Sequence, residues 1–421
     1  MSTFADIQKV IIIGGGPAAL LAAIRLKRAN AISSVLYEIR PKPSTLGGAI
    51  GIPANGLRLL HSLGLYEELV AKGALTSEII LHALNGCTMG EIDLASYSEH
   101  KTGFAYLRIQ RTDLMETLLE TAAREGIQIE YGKTLSGIEE VGNKVTARFA
   151  DGTTDVGDFV LGCDGIHSAV RSLYVDPGMV PEYTGICNMF SLVPTAKLDC
   201  PCPHLDSMHA TITTNGLFAL SPTTATRDLI YWFFSREVPA IDPANHRDGW
   251  EDQDKIEENK QLLLSLLNEQ GSSWVTLQRE MILKTESFKF YPIHKLPTGR
   301  PWARGRCLVI GDAAHAMPPH ASQGVSMALE DVFLLSKLFQ SEKLVTPETL
   351  EAYVSKRRQR TETILRNAER NGAIREQKPA WRTRVDELML SGGLRLYKMA
   401  GLQRLGLGQR DALYDIESEV L

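Results

Sequence analysis

A glycine-rich turn near the amino terminus carries the first residues suited to bind a charged ligand. Gly14, Gly16 and Ala19 occupy the three positions of a Gly-x-Gly-x-x-Gly pattern that follows a buried strand-like run, Val10–Ile13. Gly14 permits a tight turn, and Gly16 lets the backbone approach a pyrophosphate at a helix N-terminus. Ala19 replaces the third glycine, but its methyl group still permits close packing of helix on strand. The pattern therefore predicts a dinucleotide site.

An acidic residue stands at the distance expected for a ribose contact. Glu38 ends a second strand-like run, Val35–Glu38, 24 residues after Gly14. A carboxylate at this place binds ribose hydroxyls and disfavours a 2′-phosphate, so the site should hold FAD or NAD and not NADP. A glycine-rich structural turn is the alternative, and the ordered series of strand, helix, strand and acid favours the nucleotide site over it.

Two further acids follow buried strand-like runs later in the chain. Asp164 follows Phe159–Cys163, and Asp312 follows residues 306–311. Open α/β sheets bind ligands at the carboxyl ends of their strands, so both acids are candidate ligand contacts. An Asp-Gly pair such as the one at Asp164 is, taken alone, more typical of a turn.

A helix predicted over 325–339 begins shortly after the second acid. Its N-terminus would offer the backbone N–H groups of Gly324 and Val325 to an electron-rich ligand edge. Glu330 and Asp331, further along the same helix, are expected to cap it or to face solvent. The helix therefore has a candidate binding end and a polar outer side.

A cation at a predicted helix start indicates a bound anion. Arg111 precedes a helix predicted over 112–124, where the helix dipole disfavours positive charge, so we expect an anionic group nearby. A surface arginine is the alternative. Asp113 and Glu116 are spaced as a capping box for this helix.

A double glycine followed by a small residue marks residues 47–51. Gly48 and Ala49 would let the backbone lie against a flat or bulky group, and a plain loop is an equal alternative from the spacing alone. A helix with leucines on one side is predicted from Asn55 to Leu63, where Gly64 ends it. The segment would therefore be held between a strand and a helix.

The rest of the chain supplies the elements that position these residues. Short strand-like runs rich in aromatic residues, from Tyr183 to Arg236, predict an antiparallel sheet that interrupts an α/β nucleotide domain. Residues 254–267 have the pattern of an amphipathic helix. Residues 356–384 hold ten Lys or Arg against three Asp or Glu, which favours a solvated helix face over a steering patch. Residues 385–421 carry helical signals and are expected to pack as a C-terminal cap.

Composition places the chain among ordinary globular enzymes. It has 421 residues, of which 44% are hydrophobic and 23% charged, enough for two or three domains. A net charge of −5 gives no sign of nucleic-acid binding. The apolar run Val10–Ile24 is too short and too glycine-rich to span a bilayer. Asp6 and Lys9 ahead of the first strand give no signal-peptide pattern, so we expect a cytoplasmic protein.

Neither cysteines nor histidines form a metal-binding pattern. The six cysteines are scattered, and Cys200 and Cys202 form a Cys-x-Cys pair without a second pair, a poor signal for zinc or redox chemistry. Reduced thiols are therefore expected. His204 and His209 are interpreted as ordinary loop histidines, and no metal is predicted.

The motifs taken together resemble those of a known enzyme family. The turn at 14–19, the Asp-Gly motif at 163–165 and the Gly-Asp motif at 311–315 occur in the order seen in flavin-dependent aromatic hydroxylases. These are single-component FAD monooxygenases typified by p-hydroxybenzoate and salicylate hydroxylases, and the resemblance is closest to their fungal branch. Residues 48–57 are similar to the family's segment beside the isoalloxazine, and residues 110–114 to its Arg-x-x-Leu element.

The resemblance implies a cofactor contact for each polar motif residue. Glu38 would bind the adenosine ribose of FAD, with Arg40 as a further cofactor-binding residue. Arg111 would approach the pyrophosphate and ribityl chain, which accounts for a cation at a helix start. Asp312 would bind ribityl hydroxyls, and Asp164 would serve both FAD and the docking of NAD(P)H.

The same resemblance implies which residues lie against the flavin ring. Gly48 and Ala49 would lie beside the isoalloxazine, and Pro319 would lie against it near the oxygen site. The N–H groups of Gly324 and Val325 would face the pyrimidine edge and stabilise negative charge there in the reduced flavin.

Two departures from the family pattern affect the site. Ser322 stands where the family usually has the first glycine of a Gly-Gln-Gly sequence. Many fungal relatives also bind substrate with an arginine in the strand region after the Asp-Gly helix, but no arginine lies between Arg171 and Arg227 here. That role is then vacant or falls to Lys197 or Arg227.

The resemblance implies an NAD(P)H-consuming monooxygenase. NAD(P)H binds transiently in such enzymes, which suits a chain without a second dinucleotide fingerprint. One oxygen atom from O₂ would pass through a C4a-hydroperoxyflavin to an electron-rich aromatic or alkene small molecule: phenolic, indolic or polyketide-like, with secondary metabolism as a suitable setting. Tyr231 would hydrogen-bond a substrate hydroxyl, and Phe218 and Trp232 would help to wall the pocket. A core position is the alternative for each aromatic residue.

Several alternatives remain open from the sequence. One is an epoxidase or an antibiotic-inactivating flavin monooxygenase of the same fold, and another is an FAD oxidase that transfers no oxygen. A non-enzymatic flavin-binding regulator is the most distant. The expected partners are the small aromatic substrate, O₂ and NAD(P)H, with no nucleic acid and no membrane span, in a monomer or homodimer.

The predicted architecture is an α/β fold in which a discontinuous, Rossmann-like FAD-binding domain is interleaved with an antiparallel-sheet substrate domain. C-terminal helices complete it. The FAD-binding domain is predicted at 1–72, 101–178 and 288–343, the substrate domain at 73–100 and 179–287, and the C-terminal helical region at 344–421.

Overall fold

The computed structural model describes residues 7–43, 47–199, 205–238, 253–267, 272–341 and 345–419. The strands in chain order are β1 (Lys9–Ile13), β2 (Ser33–Glu38), β3 (Ala49–Ile52), β4 (Ala74–Leu75), β5 (Glu78–His82), β6 (Thr88–Asp93), β7 (Leu107–Gln110), β8 (Gln128–Tyr131), β9 (Leu135–Val141), β10 (Lys144–Phe149), β11 (Thr154–Gly157), β12 (Phe159–Gly162), β13 (Glu182–Pro194), β14 (Met208–Thr213), β15 (Gly216–Pro222), β16 (Leu229–Glu237), β17 (Lys289–Lys295), β18 (Ala303–Arg304) and β19 (Cys307–Val309).

The helices in chain order are α1 (Pro17–Asn30), α2 (Ala54–Ser62), α3 (Tyr66–Lys72), α4 (Ser96–Thr102), α5 (Arg111–Arg124), α6 (Gln253–Leu266), α7 (Ser273–Lys284), α8 (Asp312–His315), α9 (Gly324–Ser341), α10 (Pro347–Gly372) and α11 (Ala380–Met399).

A mainly parallel sheet of order β18-β19-β12-β1-β2-β8 forms the centre of the nucleotide domain. The apolar residues of β1 are buried because α1 and α9 cover the sheet, and α1 packs on α9. The carboxyl ends of β1, β12 and β19 therefore lie side by side, since these strands pair in parallel. The predicted α/β, Rossmann-like fold with an inserted sheet and C-terminal helices is confirmed.

A second sheet of order β17-β13-β16-β15-β14-β5-β6 follows the aromatic runs, with one parallel pair, β5 with β14. Alternate side chains point to opposite faces. Trp232 and Phe218 stack with ring centroids 5.4 Å apart on the face covered by α7, where the indole N–H of Trp232 donates to Thr285. The prediction that these two rings wall a pocket is wrong, because they belong to this core. Tyr231 and Phe233 point to the other face.

Two buried histidines lie in the same sheet. His82 on β5 and His209 on β14 share a hydrogen bond of 3.0 Å between Nε2 and Nδ1. The ring of Trp274 stacks on His82 at 4.2 Å. Burial lowers the pKa of each histidine to about 4. The interpretation of His209 as a loop histidine is therefore wrong, whereas His204 lies outside the described residues.

A small sheet of order β3-β7-β4 joins the two larger parts. Its central strand, β7, buries Leu107 and Ile109 in the nucleotide-domain core, so Arg108 between them points the other way. β7 leads directly into α5, whose first residue is Arg111. The predicted capping box is wrong, because Gln110 is the N-cap residue and its side-chain amide donates to Asp113 at 2.9 Å.

The C-terminal helices divide into a buried and an exposed part. α10 packs against α9 and the turn at 319–321, whereas α11 packs against β6 through Leu390 and Leu394. The predicted C-terminal cap thus covers β6, but the outer side of α11 exposes Leu388 and Met399. Cys200 and Cys202 lie outside the described residues, and the four described cysteines are free thiols.

Candidate flavin and substrate site

The glycine turn between β1 and α1 has the geometry of a pyrophosphate cradle. Gly14 has φ +116°, and a Cβ on it would lie 2.5 Å from the carbonyl oxygen of Cys163, so only glycine fits there. Gly16 is the N-cap residue of α1, and a Cβ on it would meet nothing within 4 Å. Ala19 is fully buried, as its packing role requires. The turn therefore leaves its backbone and the α1 N-terminus open to a ligand.

Glu38 braces this turn. Its Oε2 accepts the backbone N–H of Gly15 at 2.6 Å, and its Oε1 accepts the N–H of Arg40 at 3.0 Å. The guanidinium of Arg40 lies 3.5 Å from the same carboxylate and is largely exposed. The predicted ribose contact stays a prediction. The bracing role was missed because the spacing of a motif does not show which backbone groups converge on a side chain.

Arg111 lies beside the 47–51 segment. Its N–H donates to the carbonyl of Gly48 at 2.9 Å, and a Cβ on Gly47, which has φ +152°, would collide with the Arg111 side chain. The side chain is exposed, and no carboxylate pairs with it in the described part of the chain. The arrangement keeps this cation available to an anionic ligand, as the sequence predicts.

Asp164 is occupied by its own turn. Its carboxylate accepts the hydroxyl of Ser168 at 2.5 Å and the N–H groups of Ala169 and Val170 at 2.6 and 3.2 Å. Burial raises the pKa of this carboxyl. The turn interpretation is therefore confirmed, and the contact with FAD and NAD(P)H stays a prediction.

Asp312 is the first residue of α8, directly after Gly311, which has φ +58°. Its carboxylate is exposed and has no hydrogen-bond partner within the described ranges. The N–H of Gly311 donates to Asp331 at 2.8 Å. This bond fixes the backbone of the Gly-Asp motif, while the carboxylate of Asp312 stays exposed. This arrangement fits a polar ligand above the carboxyl end of β19.

A buried charge cluster supports the loop that follows. Glu330 and Asp331 on α9 are 0% exposed, and each accepts the Arg357 guanidinium of α10 at 2.7 Å. The Nε2 of His315 donates to the Oδ2 of Asp331 at 2.7 Å. Burial opposes the charge of Asp331, but His315 and Arg357 outweigh it and lower its pKa. The prediction that these acids cap the helix or face solvent is wrong, as is a wholly solvated basic face, since Arg357 is buried.

The loop from 318 to 324 is held at both ends. Pro319 begins a short 3₁₀ turn and is exposed. Ser322 has φ +53°, a conformation that glycine adopts freely and other residues rarely do. The side-chain Oε1 of Gln323 accepts a hydrogen bond from the side-chain amide of Asn55 on α2 at 3.0 Å. Gly324 then opens α9, and a Cβ on it would meet nothing within 4 Å.

Val325 follows in the first turn of α9 and packs against the nucleotide-domain core. Its neighbour Gly324 is exposed. The helix N-terminus is therefore anchored on one side and open on the other, with unsatisfied N–H groups directed outward. The predicted contact with the flavin pyrimidine edge stays a prediction.

The aromatic face of the inserted sheet meets the 47–51 segment. A Cβ on Gly48 would collide with the Tyr231 ring and lie 3.0 Å from Phe190. Phe190 lies 5.5 Å from Tyr231 and stacks on Tyr291 at 5.6 Å. The structure thus brings Tyr231, predicted to contact substrate, next to the segment predicted beside the isoalloxazine, which continues into Ala49 on β3. Burial raises the pKa of Tyr231 to about 12, so its hydroxyl keeps its proton at neutral pH.

The two cations predicted to bind substrate do not reach this face. Arg227 lies in the exposed turn between β15 and β16, with φ +56°, and pairs with Asp206 at 2.8 Å. Lys197 is exposed and pairs with Glu286 at 2.5 Å. Arg227 as a catalytic residue is therefore not supported by its position, because its charge is already paired at the surface.

Arg108, which the sequence analysis did not single out, is a cation that does reach this face. Its Nε donates to the Ser221 hydroxyl at 3.3 Å, and its guanidinium lies 5.5 Å from the centroid of the Tyr231 ring. The alternation of apolar and polar residues along 107–110 indicates this orientation of the side chain.

Comparison with known proteins agrees with this geometry. The profile of the FAD-binding domain family matches residues 8–368, so the chain belongs to that family. Among its relatives is 6-hydroxynicotinate 3-monooxygenase of Pseudomonas fluorescens, 27% identical over 377 residues that cover 89% of this chain and 94% of that protein. Another is the 3-amino-4-hydroxybenzoate 2-monooxygenase PtnB3 of Streptomyces platensis, 28% identical over 372 residues, with 86% and 87% covered.

Solved structures give the same fold. Klebsiella pneumoniae HpxO complexed with FAD and uric acid superposes with a TM-score of 0.77 at 24% identity, covering 93% of this chain and 95% of that one. A salicylate hydroxylase substrate complex gives 0.73 at 22% identity, covering 97% and 98%. The chain is an FAD-dependent monooxygenase of the aromatic-hydroxylase family, and the predicted cofactor FAD is confirmed.

Neither a membrane helix nor a metal centre is found in the part of the chain that the structure describes. No described helix combines the length and hydropathy needed to cross a bilayer. No three described His, Cys, Asp or Glu residues are grouped so that they could hold a metal ion.

Proposed function

We propose that this enzyme consumes NAD(P)H and O₂ to hydroxylate a small, electron-rich aromatic molecule. The observation that carries the proposal is the contact between Gly48 and the rings of Tyr231 and Phe190. It places an aromatic face directly against the segment that resembles the family's flavin-facing strand. The relatives named for 6-hydroxynicotinate and 3-amino-4-hydroxybenzoate act on small aromatic rings, which supports the same substrate class here.

The residues present suit bound FAD. Gly16 and the α1 N-terminus would receive the pyrophosphate, Arg111 would neutralise part of its charge, and Asp312 would accept ribityl hydroxyls. Bound FAD would accept two electrons from NAD(P)H and would activate O₂. Amino-acid side chains cannot perform either step. The N–H groups of Gly324 and Val325 would stabilise negative charge on the reduced cofactor.

The substrate side of the site is mostly apolar. Phe190 and Tyr291 exclude water from the ring-binding surface, which strengthens the few polar contacts there. The Tyr231 Oη, which stays protonated, can donate one hydrogen bond to a substrate oxygen and so orient the ring. Pro319 would close the opposite side, and Asp164 would serve FAD and NAD(P)H docking at the turn that it caps.

The first test is an absorbance spectrum of the purified protein, followed by NAD(P)H oxidation in air with a panel of aromatic acids, hydroxypyridines, phenols and indoles. We expect a flavin spectrum, faster NAD(P)H oxidation with one class of compound, and a product that gains one atom of ¹⁸O from ¹⁸O₂. A protein that binds no FAD on reconstitution would contradict the proposal. Hydrogen peroxide as the sole oxygen product would identify an oxidase, and an epoxide would identify the epoxidase alternative.

The finer predictions are part of this proposal. The substrate's identity, a role in secondary metabolism, the fungal branch, the three-part division of the chain and a monomeric or homodimeric state all stay predictions. The relatives named above are bacterial, so they support the family and not the branch. The cytoplasmic location also stays a prediction.

A further inference from the structure

Arg108 is a buried cation at the border between the nucleotide domain and the inserted sheet. It lies in the middle of β7, where it pairs in register with Gly51 of β3. Its neighbours Leu107 and Ile109 are buried in the nucleotide-domain core, so its side chain points toward the aromatic face. A Cβ on Gly51 would lie 3.1 Å from the Cβ of Ser322 in the 318–324 loop, so the two backbones approach closely. Arg108 is thus placed between the flavin-facing segments and Tyr231.

The charge of Arg108 has no acidic partner within the described ranges. The residue is 6% exposed, and its recorded contacts are with a neutral hydroxyl and a ring, those of Ser221 and Tyr231. A buried charge without a partner costs several kcal/mol. Contact with one aromatic ring offsets only about 0.5–2 kcal/mol of that cost.

Arg357, which is fully buried, shows what a purely structural arginine looks like in the same molecule. Its Nε and Nη1 each donate to a carboxylate at 2.7 Å, those of Asp331 and Glu330. Arg108 donates one N–H to a hydroxyl at 3.3 Å, and its two terminal nitrogens have no hydrogen-bond partner among the described residues. These two nitrogens form the fork that binds a carboxylate or another oxyanion in a bidentate manner.

We infer that Arg108 anchors the substrate, and that the preferred substrate is a small aromatic molecule that carries an ionised oxygen. The ring would lie on Tyr231 and Phe190, and its carboxylate or phenolate oxygen would receive the terminal N–H groups of Arg108. The inference rests on the proposed function and specifies its substrate class. Arg108 replaces Arg227 and Lys197 in this role, because both of those charges are paired at the surface.

Binding titrations of the FAD-loaded enzyme test the inference without requiring turnover. Each probe is paired with a neutral analogue: 4-hydroxybenzoate with 4-hydroxybenzamide for the carboxylate, and 4-nitrophenol above its pKa with 4-nitroanisole for the phenolate. Calorimetry or the change in flavin absorbance gives the Kd. Wild type should bind at least one anion more tightly than its neutral analogue, and the pair that discriminates identifies the oxyanion.

The variants are R108Q, R108K and a matched control, R304Q, which removes an exposed arginine that also lies over a tyrosine ring, Tyr174 at 4.7 Å. R108Q should raise the Kd of the anion by about 30-fold or more, because it removes one partner of a buried charge pair. R108K should lose less, since it keeps the charge without the fork. The neutral analogue should change less than 3-fold in each variant, and R304Q should leave every Kd unchanged.

The outcomes separate the two proposals. Wild type that binds neither anion more tightly than its neutral analogue would overturn the role of Arg108, as would an R108Q that weakens both members of a pair equally. In either case ¹⁸O incorporation by wild type would leave the proposed function standing. If R108Q does not fold, R108K decides, because an unchanged Kd for the anion with altered Kd for the neutral probe would contradict the inference. A wild-type enzyme that binds the anion selectively but hydroxylates no compound of the panel would instead contradict the proposed monooxygenase activity.

Discussion

Two buried arginines serve opposite purposes in this protein. Arg357, below the 318–324 loop, is met by two carboxylates and joins α9 to α10. Arg108, on the pocket side, is met by a hydroxyl and an aromatic ring. A buried charge that is fully paired stabilises the scaffold, whereas one without an acidic partner is held ready for a ligand. The presence or absence of an acidic partner therefore distinguishes a structural arginine from a ligand-binding one when both are buried.

The largest expected effect comes from breaking the paired side of this comparison. R357M would leave Glu330 and Asp331 buried without their cation, so the free energy of unfolding should fall by about 3–5 kcal/mol. Urea unfolding of the FAD-free protein measures it. R108M is the matched substitution and should leave the free energy of unfolding unchanged or raise it, because it removes a buried charge that no acid stabilises. Equal destabilisation by both variants would end the distinction.

The pH dependence of the free energy of unfolding should distinguish the neutral histidine pair, His82 and His209, from the charged cluster around Asp331. His82 and His209 have a pKa of about 4 in the folded protein, against 6.5 for an exposed histidine. Below pH 6.5 the unfolded chain takes up protons that the folded sheet refuses, so stability falls until about pH 4, by several kcal/mol for the pair.

The measurement is the urea midpoint at half-unit steps from pH 7 to pH 4. H209Q removes one titrating ring and should give a shallower loss over that range. The lowered pKa of Asp331 predicts a further loss only at more acidic pH, as that carboxylate becomes protonated. A variant with the same slope as wild type would show that the histidine pair does not control acid stability.

Asp312 tests whether an exposed charged residue without a protein partner serves ligand binding and not stability. D312N should weaken FAD binding about 10- to 100-fold, because it removes a charged hydrogen-bond acceptor that has no protein partner in the described structure. The stability of the FAD-free protein should not change. E120Q, at an exposed position on α5, is the control and should leave FAD affinity unaffected. If D312N instead destabilises the FAD-free protein, the carboxylate has a structural role.

The smallest effect is expected at Ser322. S322G removes the strain of a left-handed conformation, about 1–2 kcal/mol, but adds freedom to the unfolded chain, about 0.4–1 kcal/mol, so the net gain should lie between about 0 and 1.6 kcal/mol. A higher Tm of the FAD-free protein would confirm it. A lower Tm would show that the serine side chain makes a stabilising contact that outweighs the strain.

The sequence predicted the parts of the site that are local in the chain. The cradle at Gly14 and Gly16 and the open acid Asp312 follow from strand-turn-helix patterns, in which neighbours in sequence are neighbours in space. The partners of Arg357 and Arg108 come from elements that are far apart in the chain, and no spacing rule connects them. Arg227 illustrates the reverse error, since a cation in the expected stretch of sequence pairs with Asp206 at the surface.

The absence of a side chain at Gly48 also limits how this pocket can evolve. Every single-nucleotide change of a glycine codon that yields another amino acid adds at least a Cβ, and a Cβ at this position would collide with the ring of Tyr231. Under the proposed function, selection for a larger or smaller substrate therefore has to act from the sheet, through Phe190 or Tyr291, while the segment proposed to lie beside the flavin stays fixed. New specificities would arise on one wall of the pocket and leave the oxygen chemistry on the other wall untouched.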